Sequence, residues 1–303
     1  MLHEYALDPS VLTNWQSFRY FFENFGVPQG RMISQYPKKW KKLVYEACSG
    51  CRDIERSRIE QRLADIDDRL FRTTALFDAA LPWLVNAETN RKAFRAVIST
   101  ANPSRHDNII IADDISDTDP LWRVDREKPV LRTAQELAAC AGRLLEHARE
   151  VLFIDPHFDA TKPRYRNTLK AFLEKIPEPG KLKRIEYHVS NTLLPGNFSG
   201  SLQEHLPRIM SRDVTITFIR WQEANSGDSL HPRYILTDRG GIRIEHGLDE
   251  EHGGPTADVS LLDSTLFKSR WDDYQKNTAA YFDKAKAKPT FVYVDEFSVT
   301  GTR

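Results

Sequence analysis

The stretch that decides the fold reads His231-Pro232-Arg233-Tyr234-Ile235-Leu236-Thr237-Asp238 and is followed by Arg239-Gly240-Gly241. Its apolar centre and the glycines behind it predict a strand that ends in a turn. Side chains alternate between the two faces of a strand, so His231, Arg233 and Thr237 are expected on one face. A histidine and an arginine two residues apart can therefore address the same phosphate group.

The residue types in this octet suit phosphate chemistry. Arginine offers up to five donors and stays charged at any relevant pH. A neutral histidine nitrogen can attack phosphorus, and a protonated one can protonate a leaving oxygen. We therefore predict catalytic roles for His231 and Arg233, with Asp238 and Thr237 as supporting residues. The same residues also recur by chance at ordinary polar strand ends, so the octet alone is a weak signal.

Working outward from this stretch, the sequence alternates between strand and helix patterns. Strands are predicted at 150–155, 184–190, 214–221, 233–237, 241–245 and 291–294. Helices are predicted at 133–150, 166–176, 202–210 and 266–284. This alternation predicts an α/β fold with a mostly parallel or mixed sheet covered by helices.

The octet resembles the His-x-Lys-x4-Asp signature of the phospholipase D superfamily, with Arg233 in place of the lysine. The apolar strand that ends Ile154-Asp155-Pro156-His157-Phe158 is similar to a strand of that family. The order of elements over about 150–285 looks like one half of a phospholipase D-like unit, and the resemblance covers roughly residues 130–290. It implies an α/β/α sandwich half-unit over residues 126–303.

The resemblance also implies a reaction that needs no metal or other cofactor. One histidine attacks phosphorus to form a phosphohistidine, and a histidine from a second motif protonates the leaving group. Because one motif is found in this chain, the resemblance implies a homodimer. Single-motif members of the family are typically nucleases, and prokaryotic ones often serve anti-phage defence. Nucleic acid is therefore the expected substrate or ligand.

The sequence departs from the family pattern after the octet. Glu245-His246 stands where the family has a Gly-Ser pair, and Asp249 lies near the position of a missing asparagine. Carboxylates here would repel a phosphate unless His246 or His252 offsets them. These departures, together with Arg233, leave an alternative open: a catalytically inactive module that binds nucleic acid or a partner protein.

Two basic clusters are candidate phosphate-binding surfaces. One follows the strand ending at Asp155, where ligands of α/β sheets gather. The predicted substrate-binding residues are His157, Lys162, Arg164, Arg166, His246 and Asp249. The other cluster, 31–42, has aromatic residues between its basic ones, and this suits a phosphate backbone with stacked bases. The alternative interpretation of 31–42 is a solvated helix face with one buried tryptophan.

The N-terminal part of the chain is predicted to be a separate region. Apolar residues at helical spacing predict helices at 15–25 and 52–72, and an acidic run at 107–119 surrounds one apolar strand, 109–111. We therefore expect residues 1–125 to form a mainly helical region of unknown role. It could dimerise, bind substrate or engage a partner protein.

Composition excludes several classes of protein. The 303 residues carry 43 basic and 43 acidic side chains, so a basic coat for nucleic acid is excluded. No apolar run approaches the roughly 18 residues of a membrane span, and no secretory signal is visible, so a cytoplasmic protein without membrane contact is expected. Three cysteines make no disulfide framework. Cys48-Ser49-Gly50-Cys51 has no further cysteines at zinc spacing and no preceding thioredoxin-like strand, which disfavours a metal or redox role.

Overall fold

The structure, a computed structural model, describes residues 1–177, 182–192, 194–224, 229–230, 232–275 and 291–303. The chain divides into two units, Met1–Arg126 and Glu127–Arg303. The sequence expectation had placed this division between residues 125 and 126. His231 and the second half of the helix predicted at 266–284 lie outside the described residues.

The centre of the first unit is a five-stranded parallel sheet with the order β3-β2-β1-β4-β5. Its strands are β1 (His3–Leu7), β2 (Arg31–Ser34), β3 (Leu70–Phe71), β4 (Ala96–Ser99) and β5 (Ile109–Ile111). Its α-helices are α1 (Trp15–Asn24), α2 (Trp40–Ala47), α3 (Asp53–Ala64) and α4 (Trp83–Thr89).

Both faces of this parallel sheet are covered. Tyr5 and Leu7 of β1 belong to a core that also contains buried residues of α1, α2 and α3. Ala6 points to the opposite face, where Trp83 of α4 packs. Strands buried on both faces are short apolar runs without alternation. The expectation of a mainly helical region is therefore wrong in its architecture, because four of the five strands were not recognised.

The second unit is built on an eight-stranded mixed sheet with the order β13-β9-β8-β7-β10-β11-β12-β6. Its strands are β6 (Glu127–Leu131), β7 (Glu150–Ile154), β8 (Arg184–Ser190), β9 (Thr215–Glu223), β10 (Tyr234–Thr237), β11 (Gly240–Ile244), β12 (Thr256–Leu261) and β13 (Phe291–Thr300). Strands β7, β8 and β9 are parallel, and every other pairing is antiparallel. The predicted α/β fold with a mixed sheet is confirmed.

Helices lie on both faces of this sheet. They are α5 (Ala134–Glu146), α6 (Pro163–Leu173), α7 (Pro195–His205) and α8 (Ser264–Asp273). Phe153 of β7 stacks on Phe172 of α6, with 5.6 Å between ring centroids. Leu152, the preceding residue, faces the other side, where Phe267 and Trp271 of α8 pack. The alternation of side chains along β7 thus separates the two helical layers.

None of the helices in the described ranges combines the length and the apolar composition needed to cross a membrane.

Candidate functional site

The candidate site lies where β7 ends and β10 begins. The two strands are antiparallel, and their register pairs Ile154 with Tyr234. Asp155 directly follows β7 and Arg233 directly precedes β10, so the register brings these two residues together. The Nε of Arg233 is 3.8 Å from the Oδ1 of Asp155. The positive charge of the predicted motif is thus held at the carboxyl end of a central strand, where α/β sheets bind ligands.

Asp155 is completely buried and anchors two backbone segments. Its Oδ1 accepts a hydrogen bond from the amide of His157 at 3.0 Å, and its Oδ2 accepts one from the amide of Leu248 at 2.8 Å. Burial raises the pKa of the Asp155 carboxyl more than these amides and Arg233 lower it, and the charge of Asp249 raises it further. This carboxyl therefore ties the segment 245–251 to the end of β7.

A second buried carboxylate, Asp249, is held by two arginines. Its side chain is 4% exposed, with Arg132 Nη2 at 2.9 Å from Oδ1 and Arg164 Nε at 3.2 Å from Oδ2. Arg132 also pairs with Glu251, whose side chain is half exposed. Asp249 and Glu251, two of the acids that follow the predicted motif, are thus compensated by arginines. His246 and His252 are not needed for this role.

Gly247 fits between the two buried carboxylates. A Cβ at this position would lie 2.2 Å from Asp249 Oδ1 and 3.5 Å from Asp155 Oδ2. The backbone φ of Gly247 is +152°, a conformation that favours glycine. His246, next to it, also has a positive φ, at 71°, and its side chain is exposed. This tight turn brings Leu248 and Asp249 back over β7.

The predicted basic cluster on α6 separates into residues with different contacts. Arg164 reaches Asp249, yet its side chain remains 49% exposed. Arg166 donates from Nη1 to the carbonyl oxygen of Ala160 at 2.7 Å. Lys162 is exposed, 3.7 Å from the Asp159 carboxylate. Of these three cations, Arg164 is the one that joins the candidate site.

The two histidines predicted to bind substrate lie on the loops that Asp155 anchors. His157 is exposed two residues after Asp155, to which it donates its backbone amide. His246 is exposed on the turn that contains Gly247. Both imidazoles therefore belong to segments that border the site. His231, the predicted nucleophile, lies outside the described residues.

Thr237 and Asp238, the predicted supporting residues, lie at the opposite end of β10 from Arg233. Strand β10 lies between Arg233 and Asp238, with Thr237 as its last residue, and it spans about 13 Å at roughly 3.3 Å per residue. The Thr237 hydroxyl is buried and donates to the carbonyl of Gly240 at 3.2 Å. The Asp238 Oδ1 accepts from the backbone amide of Arg149 at 2.7 Å. The Thr237 side chain thus stabilises the turn after β10, and the Asp238 side chain stabilises the start of β7.

Arg132 is the site residue that sequence reasoning missed. It lies beside Thr133, the residue that caps the start of α5, and is separated from Asp249 by 117 positions. No local spacing connects the two residues. The only signal was indirect: the acids at 249–251 require cations, and those cations had to come from elsewhere in the fold.

The basic cluster at 31–42 does not form a stacking surface. Tyr36 and Trp40 are buried, and the Trp40 Nε1 donates to the carbonyl of Leu7 at 2.7 Å. The Arg31 guanidinium lies 4.0 Å from the ring centroid of Trp122. The aromatic residues between the basic ones therefore belong to the core of the first unit. This arrangement favours the interpretation of a solvated helix face with one buried tryptophan.

Asp155 predicts an unusual dependence of stability on pH. Its folded pKa lies above the unfolded value of about 3.9. Between these two values the native state binds more protons than the unfolded state, so the contribution of Asp155 to stability falls as pH rises through the folded pKa. Compared with Asp155→Asn, the wild type should therefore lose stability as pH rises from about 4, as measured by urea unfolding across pH.

Asp159 provides the matched control. Burial raises the pKa of Asp159, but hydrogen bonds from Thr161 and the charge of Lys162 together lower it below its usual value. Its contribution is present at neutral pH and is lost as pH falls through the folded pKa. The difference between the wild type and Asp159→Asn should thus change with pH in the opposite direction. If the stability difference between wild type and variant changed with pH in the same direction for Asp155→Asn and Asp159→Asn, the opposite pKa shifts assigned to these two carboxyls would be contradicted.

Comparisons with known proteins add little to this geometry. No protein-family model and no curated protein matches the chain. Among solved structures, the chain is similar to TrmBL2, an archaeal chromatin protein described as showing a novel mode of DNA binding, with 17% sequence identity and a TM-score of 0.26. The match covers 50% of this chain and 53% of that one, so the chain spans about half of that protein. A TM-score of this size supports no argument about fold or function.

Proposed function

We propose that the second unit is a phosphodiesterase, specifically a metal-independent nuclease that acts through a phosphohistidine in a homodimer. The observation that carries the proposal is the position of Arg233. Its guanidinium is held by buried Asp155 at the carboxyl end of β7, two residues after His231 in sequence. A guanidinium fixed two residues from a histidine in sequence offers a phosphate contact on the same segment that carries the proposed nucleophile.

Each residue has a defined role in this proposal. The His231 imidazole attacks phosphorus, and the copy of His231 in the second subunit protonates the leaving oxygen. Arg233 binds the phosphate oxygens and stabilises the charge that develops on them. Water then attacks the phosphorus and gives its proton to the copy of His231 in the second subunit, the P–N bond breaks, and the phosphate product leaves His231.

Arg164 supplies a second phosphate contact. It is half exposed and shares Asp249 with Arg132. If Arg164 turns toward a bound phosphate, Asp249 keeps its pair with Arg132 and is not left as an unpaired buried charge. The same movement by Arg132 is disfavoured because its side chain is only 10% exposed. Of the two arginines at this carboxylate, Arg164 is thus half exposed and Arg132 almost buried.

The proposal is tested by cleavage in the presence of a chelator. Purified protein is incubated with single- and double-stranded DNA and RNA in excess EDTA. We expect the wild type and His205→Ala to cleave at least one substrate, and His231→Ala to be inactive. His205, the last residue of α7, is the control for loss of a histidine elsewhere. Equal cleavage by all three proteins, or no cleavage by any, contradicts the proposal.

A binding module without catalysis is the second candidate, and one observation favours it. The guanidiniums of Arg233 and Arg164 already face buried carboxylates, which reduces the positive charge available to a phosphate. Such a module would bind nucleic acid with an affinity that falls as salt rises, and it would leave the substrate intact. Fluorescence anisotropy with the same oligonucleotides distinguishes it from the nuclease.

A further inference from the structure

Cys48 and Cys51 lie at the two ends of one tight turn after α2. The amide of Cys51 donates to the carbonyl of Cys48 at 3.0 Å, which closes the turn. A closed four-residue turn holds its first and last Cα atoms within about 7 Å. The Cα atoms of disulfide-bonded cysteines usually lie about 4.4–6.8 Å apart. The backbone therefore places the two cysteines at a separation that a disulfide can bridge.

The two thiols also point to the same neighbouring segment. The Sγ of Cys48 donates to the carbonyl of Leu12 at 2.9 Å, and the Sγ of Cys51 donates to the carbonyl of Thr13 at 3.1 Å. Both sulfur atoms thus lie against the carbonyls of two adjacent residues. The side chains therefore extend from the turn toward the same place.

We propose that Cys48 and Cys51 form a reversible oxidation site that takes a hydroperoxide as its oxidant. The Cys51 thiolate attacks one peroxide oxygen, the O–O bond breaks, and Cys51 becomes a sulfenic acid while the other oxygen leaves as water or an alcohol. The Cys48 sulfur then attacks the Cys51 sulfur, the S–O bond breaks, and water leaves with the Cys48 proton. Two thiols and one peroxide thus give one disulfide, and a small thiol reductant restores both thiols.

The order of the two steps follows from exposure. Cys48 is buried, whereas Cys51 is partly exposed and can meet a peroxide in solution. Burial, together with the nearby Cys51, raises the pKa of Cys48 to about 11, so its thiol stays protonated at neutral pH. A protonated thiol is a poor first nucleophile. Cys51 is therefore the thiol that is oxidised first, and Cys48 is the resolving thiol.

This site differs from the redox role that the sequence disfavoured. That argument concerned a thioredoxin-like pair after a strand, whereas the pair here follows α2. A local disulfide requires only the turn. Oxidation would remove both S–H donors from the carbonyls of Leu12 and Thr13. These two residues precede Asn14, whose side chain caps the start of α1. The proposal concerns the first unit and does not depend on the proposed nuclease.

The experiment maps the thiols of the full-length chain after treatment with hydrogen peroxide. Free thiols are blocked with N-ethylmaleimide under denaturing conditions, and the peptides are identified by mass spectrometry. We expect a peptide with linked Cys48 and Cys51, two hydrogens lighter and without label, and full recovery of both labels after dithiothreitol. Cys140, which is also partly buried, should keep its label and serves as the internal control.

Two variants test the order of the steps. In Cys48→Ser, the sulfenic acid of Cys51 has no resolving partner and should be captured by dimedone. In Cys51→Ser, Cys48 should keep its label after the same treatment. Labels on both cysteines of the oxidised wild type, or disulfides only between chains, would overturn the proposal. The mapping of the wild type decides the question even if a variant fails to fold.

Discussion

Replacing Arg233 with alanine is expected to lower phosphodiester cleavage by about 10²–10³-fold, the loss typical when one fixed donor to developing charge is removed. The side chain is almost buried and is held by Asp155, so it is organised before the substrate arrives. Arg233→Lys introduces the residue type of the signature that the octet resembles and should retain more activity than alanine. The measurement is the rate of oligonucleotide cleavage at saturating protein in EDTA.

The control for Arg233→Ala is Arg143→Ala on α5. Arg143 is half exposed and pairs with Glu146 one turn away, so its loss changes a surface charge without touching the site. Arg143→Ala should cleave at the wild-type rate. If Arg233→Ala folds normally and also cleaves at the wild-type rate, Arg233 does not bind the phosphate during cleavage.

Replacing Asp249 with alanine is expected to lower the free energy of unfolding by about 3–5 kcal/mol. The substitution removes a buried carboxylate and leaves the almost buried guanidinium of Arg132 without its closest buried partner. It also releases Arg164. Urea unfolding followed by circular dichroism measures the change, provided that the slope of the transition is unchanged.

Glu251→Ala is the matched control for this prediction. Glu251 pairs with the same arginine, but its side chain is half exposed, and exposed ion pairs contribute about 0–1 kcal/mol. The two variants therefore remove different partners of one guanidinium. Equal losses of stability in Asp249→Ala and Glu251→Ala would show that burial does not set the energy of this network.

The sequence predicted those elements whose patterns are unambiguous. The strand expected at 184–190 is observed as β8 over the same residues. The helix expected at 15–25 is observed as α1, where Phe18 and Phe21 are buried. In contrast, β2 and β4 are four-residue runs of a parallel sheet, and runs of this length fit loops and helix ends equally well. The sheet of the first unit was therefore missed apart from β5. Of its helices, α1 and α3 were predicted, but the prediction at 52–72 ran past Ala64 into β3, and α4 was not predicted.

The candidate site was only partly predictable for a related reason. Arg233 and Asp155 were each identified at a strand end, but only the antiparallel register of β7 and β10 brings them together. Asp238 was expected to support the motif from the strand end, but the four residues of β10 separate it from Arg233. The pairing of Arg132 with Asp249 depends on the turn at Gly247. Contacts of this kind are set by tertiary structure and leave no local pattern.

The central claim is that His231 forms a covalent bond to the phosphate of a nucleic acid. A labelled oligonucleotide is mixed with excess protein in EDTA, the reaction is stopped at alkaline pH to preserve phosphohistidine, and the products are separated on a denaturing gel. We predict a protein–oligonucleotide adduct that mass spectrometry maps to His231 and that is absent from His231→Ala. Cleavage by the wild type without an adduct at His231, or the same adduct in His231→Ala, would contradict the account.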